Sequence, residues 1–120
     1  MPSGDVWALG LSKNQLVFVP KGDWTKGRTV CEGRDVKRPV VQCSGPFTLV
    51  IDQQDRIWVS NALAGHVARF PAADPSKVEK FETGWSGSGM GIDSQGNAWV
   101  TNRLSNSISG GLVLAQLSKG

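Results

Sequence analysis

Three residues recur at a single spacing, and this limits the fold more than any other feature of the chain. Asp52 and Asp93, Trp58 and Trp99, and Asn61 and Asn102 each stand 41 positions apart. The stretches around them read alike. One contains Gly45-Pro46-Phe47-Thr48-Leu49-Val50-Ile51-Asp52 and then Arg56-Ile57-Trp58-Val59-Ser60-Asn61. The other contains Gly89-Met90-Gly91-Ile92-Asp93 and then Asn97-Ala98-Trp99-Val100-Thr101-Asn102. A weaker third copy leads the chain, where Gly4-Asp5-Val6-Trp7-Ala8 aligns with Gly96-Asn97-Ala98-Trp99-Val100. Nine positions after each tryptophan comes an apolar residue: Leu16, Val67 and Ile108. A fixed period of this length means one supersecondary unit used repeatedly, each copy hiding its apolar face against the next.

Each copy is written in strand chemistry. Residues 48–51 are a short run of β-formers, and 52–55 and 93–97 are rich in turn residues. Residues 57–60 and 98–101 follow as second strands, with Trp on the opposite face from its apolar neighbours. Residues 67–70 and 78–81 read as third and fourth strands, separated by Pro71-Ala72-Ala73-Asp74-Pro75, where proline cannot donate to a ladder. Residues 112–117 read as the outer strand of the last copy. Four short strands in about 41 residues match one blade of a β-propeller. The expected fold is therefore all-β, a partial β-propeller of four-stranded antiparallel blades. The expected division is 1–43 for a partial first blade, 44–84 for a second and 85–120 for a third. Opening at a second strand favours a fragment of a longer propeller over a ring closed by homo-oligomerisation.

The interval from Trp7 to Trp58 is 51, ten more than the period, and the surplus coincides with a charged segment, read as a loop insertion. That segment, residues 21–38, has six basic side chains (Lys21, Lys26, Arg28, Arg34, Lys37, Arg38) and three acids (Asp23, Glu32, Asp35), which accounts for the whole net charge of +3. The interleaved acids argue against nucleic acid as a partner. Cys31 and Cys43 are the only cysteines. Their spacing fits a loop-closing disulfide, which would place the chain outside the cytoplasm, or two reduced thiols within it. With one histidine and no CxxC pair, no zinc site is read. No apolar run approaches the ~20 residues of a membrane span, and no signal peptide is visible at the start.

The order apolar strand, Asp, turn, apolar-Trp-apolar strand, Asn resembles the NHL-type repeat, in particular the blades of streptogramin (virginiamycin B) lyase-like propellers. Residues 89–102 carry most of the likeness, and 46–61 support it. The resemblance implies a catalytic His in a His-Gly-Ile-like stretch at the start of an inner strand. The stretches matched to it are Phe47-Thr48-Leu49 and Met90-Gly91-Ile92, and neither holds a His. His66 is read as a turn residue between second and third strands.

No catalytic residue, metal ligand or cofactor is therefore expected in this segment. Trp7, Trp58 and Trp99 are expected to pack between blades. Asp52 and Asp93 are read as turn formers, because their surroundings lack the ligand pattern of a calcium loop. Trp85, Arg103, Asn61 and Asn102 are the candidate ligand contacts. The expected function is a binding or scaffold module that takes a protein or polymer ligand through loops on one rim. The alternative is a metal-dependent lyase- or lactonase-like propeller enzyme whose catalytic residues lie elsewhere.

Overall fold

The structure, a computed structural model, describes residues 4–10, 15–32, 45–61, 65–82, 87–102 and 113–117; for residues 32, 87, 88, 102 and 113–117 only the backbone is described. Among the described residues ten strands make three antiparallel sheets. β1 (Val6–Gly10), β2 (Gln15–Val19) and β3 (Arg28–Glu32) form the first, in that order. β4 (Pro46–Ile51), β5 (Arg56–Asn61), β6 (His66–Pro71) and β7 (Glu79–Glu82) form the second. β8 (Gly87–Ile92), β9 (Ala98–Asn102) and β10 (Val113–Leu117) form the third. Two short 3-10 turns, Pro20–Gly22 and Trp24–Lys26, join β2 to β3. Among the described residues there is no α-helix, and none is long and apolar enough to cross a membrane.

The hairpins form because their turns are chemically specified. Asp52 N–H donates to the carbonyl of Arg56 and Asp55 N–H to the carbonyl of Asp52; Asp93 with Asn97, and Gly96 with Asp93, repeat both bonds. The turn requires a left-handed residue at its fourth position. Gly96 supplies it at φ 83, and Asp55 adopts it at φ 57. Glycine takes that conformation without steric cost, and aspartate is among the few other residues that tolerate it.

The 41-residue period holds in the register. Pro46 pairs with Asn61 and Leu49 with Val59; Gly87 pairs with Asn102 and Met90 with Val100. Each inner strand carries one bulged residue between those pairs. The three tryptophans are also equivalent on their other side, opposite Phe18, Arg69 and Gln116.

Two cores result from strand alternation. Ile57, Val59 and Phe70 of the second sheet face Trp7, Leu16 and Cys31 of the first. Trp58 and Val67, on the opposite face, meet Ala98 and Val100 of the third. Each sheet is thus buried by its neighbour, as the repeat requires.

Three expectations need correction. The charged segment is not simply a loop insertion, because Arg28–Glu32 within it is the outer strand of the first sheet. Phe18 to its partner Arg28 and Arg69 to its partner Glu79 are both ten positions, so no surplus lies there. The surplus falls between β3 and β4. The terminal strand, Val113–Leu117, pairs with β9 and so is the third strand of its sheet, not the outer one. Its Gln116 lies 17 positions from Trp99, against 11 from Trp58 to Arg69, so six more residues separate the paired positions in this sheet. Finally, His66 is not in a loop. Gly65 turns the chain at φ 69 and donates to the Asn61 carbonyl at 3.0 Å, and β6 begins at once with His66 opposite Asn61.

Candidate functional site

The sheets present two different ends. One carries the Asp turns, and the other carries the starts of inner strands β4 and β8 and the ends of β5 and β9. Asn61 and Asn102 occupy the same register position at that second end. Trp85, Arg103 and Cys43 lie outside the described residues, and Asn102 is described by its backbone alone.

At the rim the bulge decides what is displayed. Phe47 is the extra residue of β4 and is 41% exposed. The gap it leaves in the ladder is filled by a side chain, because Thr48 N–H donates to Ser60 Oγ at 3.2 Å. In the third sheet Gly89 N–H donates to Thr101 Oγ1 at 2.8 Å, 41 positions on in both partners. This register aligns Phe47 with Ser88 and Leu49 with Met90. The match of Phe47 to Met90 was therefore two residues out of step, though no reading puts a histidine there.

Beneath the rim, Asn61 is fully buried, and its Nδ2 lies 3.1 Å from His66 Nε2. The pair ties the end of β5 to the start of β6. Neither side chain projects into solvent.

Behind it stands a residue that sequence reasoning missed. Arg69 is buried beside the stacked rings of Trp58 and Phe81, with its guanidinium carbon 5.0 Å from each ring centroid. Its Nη2 donates to Glu79 Oε2 at 2.6 Å and its Nε to Oε1 at 3.2 Å, a two-pronged pair. A buried guanidinium needs such a partner. The available signal was the 11-residue step from Trp58 to Arg69, which puts both on one sheet face.

The opposite end is dominated by carboxylates, and their role is wider than turn formation. Asp52 Oδ1 accepts from the backbone N–H groups of Gln54 and Arg56, both at 2.9 Å; Oδ2 accepts from Arg56 Nε at 2.7 Å and from Trp58 Nε1 at 2.8 Å. Asp93 repeats the clasp with Gln95, Asn97 and Trp99, whose Nε1 donates at 3.0 Å. Burial pushes Asp52 up, but the bonds from Trp58 and Arg56 together outweigh it and hold the carboxyl below its ordinary value. For Asp93 the Trp99 bond leads, with Asn97 and Gln95 helping, and its pKa falls to about 2.

A cleft of about 130 Å³ lies between the two turns, lined by both carboxylates with Gln53, Gln54, Ser94 and Gln95. Every carboxylate oxygen there already accepts hydrogen bonds. Among the described residues no group of three or more His, Cys, Asp or Glu side chains is placed to hold a metal ion. The residues described thus do not fit a metal centre.

No family model matches the sequence, and no curated protein matches it. Solved structures do match. Virginiamycin B lyase from Staphylococcus aureus superposes with a TM-score of 0.66 at 15% identity, over 98% of this chain and 39% of that one. A streptogramin B lyase gives 0.65 at 19% identity, over 95% of this chain and 37% of that one. A catalytically inactive variant of the S. aureus enzyme with quinupristin gives 0.67 at 14%, over all of this chain and 40% of that one. The chain thus spans about two fifths of the length of these structures. Its antiparallel sheets, repeating register and side-by-side packing are those of a partial β-propeller, the fold of virginiamycin B lyase.

Proposed function

We propose that the chain is a propeller-type binding module that takes a protein or polymer ligand at the rim carrying Phe47. One observation carries the reading. The rim position that the bulge of β4 displays is held by a half-exposed phenylalanine, and the chain's only histidine is buried against Asn61. An exposed aromatic at a strand end offers contact area at low entropic cost and no proton to transfer. Trp85, Asn102 and Arg103 belong to the same reading as rim contacts, while Asn61 stiffens the rim from below. Cys31 and Cys43 are the chain's two cysteines. The reading pairs them and places the module in an oxidising compartment.

The test is to present immobilised polysaccharides and unfolded polypeptides to the chain and to its Phe47→Ala variant. The expected result is saturable retention on one of these, weakened about tenfold by the substitution. Equal retention of both forms, or of neither, would count against the reading. The second reading, a lyase- or lactonase-like enzyme completed by further blades, draws support from the structural neighbours. It is favoured instead if the ring-forming protein opens a cyclic depsipeptide or a lactone and changes in these sheets abolish that turnover.

A further inference from the structure

The clasp described above is made twice and is lacking once. Trp58 and Trp99 each give their indole N–H to an aspartate six residues earlier. Trp7 holds the same register position, opposite Phe18 as Trp58 is opposite Arg69. Six residues before Trp7 stands Met1, which has no carboxylate. Trp7 is only 8% exposed, and its Nε1 is buried with no hydrogen-bond partner. A buried donor without an acceptor costs about 1–3 kcal/mol, so such atoms are rare in a finished structure.

The backbone beside it is incomplete in the same direction. β5 is paired on both sides, by β4 and β6, and β9 by β8 and β10, whereas among the described residues β1 pairs only with β2. We propose that the open edge of β1 accepts an extended polypeptide segment from outside residues 1–120, three or four apolar residues followed by an aspartate that receives the Trp7 indole N–H. The register fixes where that aspartate sits. Val50 lies opposite Trp58 and Gly91 opposite Trp99, each two residues before the clasping aspartate. The incoming aspartate therefore follows by two the residue opposite Trp7. Strand addition supplies main-chain bonds, and the carboxylate supplies selectivity for this register.

A second copy of the same described sheets does not fit the role. Its β4 and β8 are already paired, and Asp52 and Asp93 are already bonded to their own tryptophans. The inference is independent of what the Phe47 rim binds.

The probe is a synthetic peptide of residues 45–54, Gly-Pro-Phe-Thr-Leu-Val-Ile-Asp-Gln-Gln, added to the full chain with nitrogen-labelled indoles. The Trp7 resonance is assigned through its ring contacts to Phe18 and Phe70, 5.0 and 5.7 Å between centroids, so no variant of the chain is needed. The expected result is a saturable shift of the Trp7 indole N–H, with those of Trp58 and Trp99 unmoved. A peptide with Ala in place of the aspartate should bind about tenfold more weakly or worse, the range for a hydrogen bond to a charged acceptor. Equal binding of the two peptides, no movement at Trp7, or movement at Trp58 from exchange with β4 would each overturn the proposal.

Discussion

The second and third sheets contain the same hairpin, the same carboxylate clasp and the same bulge, yet Trp58 is 0% exposed and Trp99 is 39% exposed. The clasp is local. It needs only an aspartate and a tryptophan six residues apart across a tight turn. Burial is not local, because Trp58 is covered by the third sheet, by Ala98 and Val100, and stacked on Phe81 at 5.8 Å. Hydrogen-bond geometry therefore repeats with the sequence, while hydrophobic stabilisation depends on which neighbour is present.

That contrast can be broken at the tryptophans. Trp58→Ala should cost about 3–5 kcal/mol, the range for a fully buried aromatic, whereas Trp99→Ala should cost about 1 kcal/mol. Urea denaturation of both variants checks it, and equal losses would mean that the shared clasp, not the covering sheet, dominates. A smaller gap is expected at the aspartates. Asp52→Ala strands the buried Trp58 indole N–H and, in a part-buried setting, two backbone N–H groups and the Arg56 side chain, at about 2–3 kcal/mol. Asp93→Ala should cost less, because water can reach the donors it leaves.

The smallest effect sharpens the comparison by pH. Both carboxyls titrate below their unfolded value, so the stability each contributes is complete above about pH 4 and is lost as pH falls through the folded value. For Asp93 that loss runs from about pH 4 down to about 2. Thermal midpoints across this window should fall for the natural chain and fall less steeply for Asp93→Asn. An unchanged slope in that variant would remove Asp93 from the acid response.

The sequence made the hairpins legible because period and turn chemistry coincide there. Asp52, Trp58 and their copies share one offset, and Asp55 and Gly96 fall where the turn needs a left-handed residue. The bond between aspartate and indole was also written in that shared offset, but two residues read separately, one as a turn former and one as core, do not reveal that they touch. β3 was hidden for a different reason. An outer strand has one neighbour, so Arg28 and Thr29 remain exposed and the alternation that marks a buried strand is diluted by charge. Its position follows only from register, through the ten-residue step from Phe18 to Arg28. Arg69 was missed because a buried arginine depends on Trp58, Phe81 and Glu79 arriving together from three strands. That is a property of the assembled sheet.

The bulge at Phe47 has a wider consequence. A residue outside the pairing pattern can be exchanged without altering which amide meets which carbonyl, since the hydroxyls of Ser60 and Thr101 keep the interrupted ladder closed from within. Each unit of 41 residues therefore carries one position at which chemistry can drift freely while the scaffold stays fixed. A phenylalanine in one unit and a serine in the next are two settings of the same dial.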